Sequence, residues 1–152
     1  MKLLDLPEVF GYTLFCDDIR VEADGKINYI GTYLADLNVN AALPILVPKF
    51  AFGITLFQKE ELFQPNVKLL IFMPGDTEDV ASIQADITEA TPGETAKSRS
   101  RSKEPYIAAR AHLILAPFTI NQTGTIRVRA IHRDKMIRLG ALGVIQPSEY
   151  NA

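Results

Sequence analysis

The chain has 152 residues, 47% of them apolar, with 18 acidic and 16 basic side chains for a net charge of −2. That length suits one domain burying roughly two-thirds of its unfolded surface, and the charge balance gives no overall basic footprint for nucleic acid. No apolar run approaches the roughly 20 residues that span a bilayer, and the acids Asp5 and Glu8 interrupt the place where a secretory signal needs an apolar centre. The expectation is a cytoplasmic protein with no membrane contact. The single cysteine, Cys16, forbids an internal disulfide and suits a reducing compartment. Its place in an apolar strand reads as a small buried residue rather than a nucleophile.

Residues 1–11 form a lead-in whose Leu3, Leu4 and Leu6 are candidates to pack on a sheet, while Pro7 and Gly11 interrupt regular structure. The stretch Tyr12–Tyr33 organises the rest of the chain. It holds two strand-like runs, Tyr12–Cys16 and Ile27–Tyr33, joined by a connector carrying Asp17, Asp18, Glu22 and Asp24. Asp24-Gly25 between apolar runs is a hairpin signal, because both residues tolerate positive φ. In the second run Ile27, Tyr29 and Tyr33 share one face and Ile30 and Leu34 the other, which predicts a central strand covered on both sides. Gly31 marks a bulge or a close backbone approach.

Residues 35–47 read as a long connection broken by Asn38, Asn40 and Pro44, with a short strand at Asp36–Val39. Phe50–Phe57 alternates Phe50, Phe52, Ile54 and Leu56 with smaller residues, the period-two signature of a core-facing strand. Gln58–Pro65 is a polar turn with room for one helical turn. Val67–Met73 is the next strand, stopped by Pro74-Gly75, and Val80–Thr88 alternates again. Residues 89–105, EATPGETAKSRSRSKEP, contain no aromatic and no aliphatic larger than alanine. Such a segment buries too little to offset its ordering entropy, so a mobile loop is predicted there. Tyr106–Ala116 resumes as a strand, and Thr125–His132 with Met136–Ile145 closes the chain as a hairpin turning near Arg133-Asp134-Lys135. Ile126, Val128 and Ala130 should face inward and Arg127 and Arg129 outward, with Gly140 and Gly143 allowing a bulge.

About eight short strands with turn signals between them, and no helix of any length, define an all-β fold. The predicted architecture is a single antiparallel β-sandwich over residues 1–152, immunoglobulin-like or jelly-roll-like.

Three groups of residues are candidates for chemistry. The carboxylates of Asp17, Asp18, Glu22 and Asp24 are candidate metal ligands for Ca²⁺ or Mg²⁺, which take oxygen donors. The competing reading has Asp17 or Asp18 holding backbone amides and the rest solvated in the turn. Asp76, Glu78 and Asp79 form a second, unassigned acid group. The tract Lys97–Lys103 carries four cations in seven residues. Flanking glutamates and the absence of an aromatic for base stacking make it a solvated loop rather than a nucleic-acid contact. His112 and His132 have no visible Ser or Cys partner for nucleophilic chemistry. Phosphate-loop, paired-cysteine and His-Glu-x-x-His motifs are absent, so no catalytic residue is assigned.

The residues Phe15-Cys16-Asp17-Asp18-Ile19-Arg20, Glu22, Gly25-Lys26 and Ile30-Gly31 with Tyr33 resemble the N-terminal motif of an uncharacterised bacterial and phage-associated family, a domain of unknown function. Pro117-Phe118-Thr119-Ile120 and Gly124 before the closing hairpin extend the resemblance over most of the chain. Members often carry Asp-Gly in the last turn, where this chain has Asp134-Lys135. The resemblance implies no activity, cofactor or mechanism. The functional expectation is therefore a non-enzymatic binding or structural module, self-associating or with a protein partner, with Leu62, Phe63 and Tyr150 as candidate surface apolar groups. The alternative is a metal-binding protein or metal-dependent hydrolase built on Asp17, Asp18, Glu22 and Asp24.

Overall fold

A computed structural model describes residues 1–88, 97–98 and 106–148. The strands are β1 (Val9–Cys16), β2 (Asp18–Val21), β3 (Ile27–Ile30), β4 (Asp36–Asn38), β5 (Ile45–Val47), β6 (Phe50–Lys59), β7 (Asn66–Phe72), β8 (Ile83–Thr88), β9 (Lys97–Ser98), β10 (Tyr106–Leu115), β11 (Phe118–Ile120), β12 (Gly124–His132) and β13 (Lys135–Ile145). A 3₁₀ turn, Glu60–Leu62, succeeds β6. Apart from the backbone of β9, the expected mobile loop and the basic tract lie outside the described residues, as does Tyr150.

Two sheets form a β-sandwich. The first has the order β1-β6-β10-β9 and the second β4-β13-β12-β7-β8, with β2–β3 and β5–β11 as separate two-stranded ribbons. Pairing is antiparallel except between β4 and β13, which run parallel. That exception departs from the all-antiparallel expectation. The chain leaving Tyr33 enters alongside the last strand in its own direction, and Gly143 and Val39 donate backbone hydrogen bonds to Ala35 and Ile145 there.

The period-two pattern sets the inner faces. Phe50, Phe52, Ile54 and Leu56 from β6 are at most 1% exposed and meet Val67, Leu69 and Ile71 of β7 and Ile126, Val128 and Ala130 of β12 in one cluster. Phe52 sits at the junction of the aromatic contacts, 5.7 Å from Phe15 and 5.1 Å from Phe50, which in turn stacks on Phe118 at 4.8 Å. Burying each such side chain contributes about 1.5–3 kcal/mol before entropy is counted.

Several details differ from expectation. The strand number rises to thirteen among the described residues because short elements (β2, β4, β5, β9 and β11, each 2–4 residues) have little periodicity of their own. The run Ile27–Tyr33 is not a central strand. It ends at Ile30, pairs only with β2, and shows its Asn28 and Ile30 side to solvent. The reason is the acid connector: its residues 18–21 are themselves a strand, so the hairpin closes on β2 rather than on β1. Strand β1 pairs with β6, touching the expected partner through a single bridge, Phe15–Tyr33. Leu3, Leu4 and Leu6 do not pack on the sheet; they are 94%, 83% and 59% exposed. Leu62 and Phe63 are half-buried rather than surface groups.

At the closing hairpin His132 faces Lys135 across a two-residue turn in which Arg133 takes φ 54°. Further along, Val128 pairs with Gly140 but Arg129 with Arg138, so Leu139 is the extra residue of a β-bulge. Beside the bulge lies Thr13, whose Oγ1 is the one buried side-chain N or O atom without a hydrogen-bond partner among the described residues. An unpartnered buried hydroxyl costs about 1–3 kcal/mol. Thr13→Val, which keeps the shape and removes the hydroxyl, should therefore raise the unfolding free energy by roughly 1 kcal/mol in denaturant titration; an equal loss would mean the hydroxyl has a partner after all.

Candidate interaction face and the acidic hairpin

The four predicted ligands are all present in or beside the β2–β3 ribbon, yet each carboxylate meets a different donor. Asp17 accepts from the Tyr33 phenol at 2.6 Å. Asp18 accepts from the Ile19 amide at 2.9 Å and from the Lys49 ammonium at 3.1 Å. Glu22 accepts from the Asn28 amide at 2.6 Å. Asp24 accepts from the Lys26 amide at 3.1 Å and pairs with its ammonium at 2.9 Å. The Lys49 contact holds the Asp18 carboxyl below its usual value, and the Lys26 contact does the same for Asp24. No group of three or more His, Cys, Asp or Glu side chains converges among the described residues. In this arrangement the acids order the ribbon's turns.

Asp17 is the most constrained of them. Its amide donates to the carbonyls of Ile30 and Gly31. Gly31, at φ 66°, passes so close that any Cβ there would overlap the carboxylate. This is the close approach read from the glycine in the sequence. Burial first, and then the hydrogen bond to Asp17, push the Tyr33 phenol up to about 12. A phenol that holds its proton more tightly folded than unfolded stabilises the protein below its ordinary value of 10 and loses that contribution as pH climbs towards 12. Ultraviolet titration should show one of the five tyrosines ionising last, near pH 12, and Tyr33→Phe should remove that step. A variant titrating like the parent would break the assignment.

The ribbon lies on the outer face of the first sheet. Ile19, Ile27 and Tyr29 pack there over Cys16 and Ala51. Gly53 makes this possible, because a Cβ on it would collide with the Tyr29 ring. The Tyr29 hydroxyl lies 3.2 Å from Nε2 of His112, with the rings edge to face at 5.9 Å. Burial raises the phenol, and burial with the neighbouring Arg110 lowers the imidazole. Cys16 is fully buried, and burial pushes its thiol up, which suits a packing residue. His132 is also structural in its contacts. Its Nε2 lies 2.9 Å from Oε1 of Gln58 and 3.1 Å from the Leu62 carbonyl. Because Gln58 Oε1 already accepts from the Gln64 amide, Nε2 is the protonated nitrogen.

The ribbon covers only part of the face. Register places Phe10, Phe57 and Ala108 in one row, Tyr12, Thr55 and Arg110 in the next, then Leu14, Gly53 and His112, then Cys16, Ala51 and Ile114. Tyr12 and Ile114 are 45% and 44% exposed, while Phe10, Leu14 and Phe57 are half-buried. Arg110 and His112 are exposed among these apolar groups. The Met1–Leu6 arm starts from the end of this face: Tyr106, edge-on to Phe10 at 5.5 Å, donates its hydroxyl to the Pro7 carbonyl at 3.0 Å. Alternation in β1, β6 and β10 could have disclosed this face. The arm's exposure could not be foreseen, because Leu3, Leu4 and Leu6 read as core.

Fold and face together define the class: an all-β sandwich with a ribbon laid over part of one outer face, leaving Tyr12 and Ile114 exposed there. No helix among the described residues is long and apolar enough to cross a membrane. No family model, curated protein or solved structure matches the chain.

Proposed function

We propose that this chain is a non-enzymatic binding module that self-associates, the outer face of the first sheet receiving the Met1–Leu6 arm of a second copy. The observation that carries the reading is that one chain presents both halves of such a contact. Leu3, Leu4 and Leu6 stand in solvent, and on the same face that begins at their root Tyr12 of β1 and Ile114 of β10 are exposed, with Phe10, Leu14 and Phe57 half-buried between. Six extended residues reach roughly 20 Å, the span from Phe10 to Cys16 along β1. Asp5 of the arm complements Arg110, an exposed cation of the face. The resemblance to an uncharacterised bacterial and phage-associated family accords with this reading and adds no activity to it.

Light scattering across a concentration series should give twice the chain mass, falling to the chain mass for Tyr12→Glu with Ile114→Glu and for deletion of residues 1–6. Mixing those two defective chains should restore a 1:1 pair, since each supplies what the other lacks. A parent that stays monomeric at high concentration would end the proposal.

The metal alternative built on Asp17, Asp18, Glu22 and Asp24 has no convergent donor set in its favour among the described residues. It makes an opposite prediction. Melting in EDTA and then with Ca²⁺, Mg²⁺, Mn²⁺ or Zn²⁺ should leave the midpoint unchanged if the acids are structural. A metal at a hundredfold excess over its dissociation constant would add about 2.7 kcal/mol, a gain that Asp17→Asn with Asp18→Asn would abolish.

A further inference from the structure

The outer face of the second sheet carries a different chemistry. Arg127 and Arg129 project from β12, and both guanidiniums lie over the ring of Phe72 on β7, their Cζ atoms 4.8 and 5.0 Å from its centroid. The carboxylate of Glu78, from the loop after β7, sits between them, with Oε1 on Arg127 and Oε2 at 2.7 Å from Nη1 of Arg129. Directly across the ladder from Arg129 stands Arg138. It is exposed and makes no ion pair among the described residues.

Like charges placed directly opposite on a sheet are destabilising, so the Arg129–Arg138 pair costs stability in a chain whose net charge is −2. That unfavourable pair borders a cavity. A groove of about 390 Å³ is lined by Thr125, Arg127, Arg129, Arg138, Gly140 and Ala141, with Ala141, paired with Arg127, the small outward side chain that the arginines border. The two-residue turn sets this register, since regular pairing from His132–Lys135 runs unbroken to Arg129–Arg138 and alternation then sends Arg138 outward and Leu139 into the core.

From this geometry we infer an oxyanion-binding groove whose ligand is a phosphate monoester. Glu78 shows that two of the guanidiniums already grip a planar oxyanion, the pairing for which arginine is suited. Three guanidinium charges stand against the carboxylates of Glu78 and, beside Arg127, Asp76; the charge of Arg138 is left for a ligand, and a phosphate monoester carries about −1.5 to −2 at neutral pH. The stacked aromatic floor holds Arg127 and Arg129 in place before any ligand arrives. Arg138 supplies the free contact, and Glu78 limits how far the other two can turn to the ligand.

The test uses the full chain, with O-phosphoserine and inorganic phosphate as probes at low salt, followed by arginine side-chain N–H signals in NMR and by thermal melts. O-Phosphoserine should shift the Arg138 signal at millimolar concentration, with inorganic phosphate weaker. Arg138→Ala should weaken binding at least tenfold while leaving the melting temperature of the free protein unchanged or higher. Glu78→Gln should lower the free protein's melting temperature and enlarge the stabilisation that phosphate gives, because the internal competitor is gone. Absence of any arginine shift up to about 10 mM probe, or equal binding by Arg138→Ala, overturns the inference. Tighter binding of a single-stranded oligonucleotide than of phosphoserine would also overturn it, in favour of a phosphodiester surface.

Discussion

The seating of β6 between two covers is the constraint on which the rest depends. One face of this strand gives Phe50, Phe52, Ile54 and Leu56 to the space between the sheets, where they meet β7, β12 and β13. The other face presents Ala51, Gly53 and Thr55, small enough for a second layer to lie on them. Large residues on both sides would fill the sandwich but leave no seat for the β2–β3 ribbon. Small residues on both would leave the sandwich hollow. The alternation of Phe and Leu with Ala and Gly is thus a three-layer instruction written in one strand.

That instruction was half legible. The inner face follows from period two, and so do the seven long strands and the outward direction of Arg127 and Arg129. The outer layer was not legible, because Ile19, Ile27 and Tyr29 carry the same apolar signal whether they enter a main sheet or a ribbon laid upon one. The acid hairpin misled in a similar way. Four carboxylates in eight residues look alike in sequence, but they sit before, in and after a four-residue strand and find Tyr33, Lys49, Asn28 and Lys26 as separate partners. The arginine groove depends on a cross-strand register, Arg129 to Arg138, that the two-residue turn at Arg133-Asp134 fixes; the sequence placed the turn only as near Arg133-Asp134-Lys135, and a one-residue change in its length would pair Arg129 with another residue.

The two outer faces carry opposite chemistry. On the first sheet, aromatic and aliphatic groups lie beside an equally apolar arm, and the driving force available there is burial, which is insensitive to salt. On the second, guanidiniums stack on Phe72, and the available force is charge pairing, which salt screens. The core between them separates the faces by the thickness of two packed sheets, about 10 Å. The proposed association on one side and the proposed anion capture on the other would share no residue.

The bulge in β13 also changes how that strand counts. Before it, the odd-numbered Ile137 and Leu139 face the core; after it, the even-numbered Leu142 and Val144 do. The strand is two half-strands of opposite parity spliced at one residue. Length changes in a paired strand normally turn one half inside out. Here a single-residue deletion at the splice would make the parity uniform, keeping both halves correctly oriented against β12 with the loss of one leucine's packing. That position is therefore the one place in the strand where a residue can be lost without inverting either half.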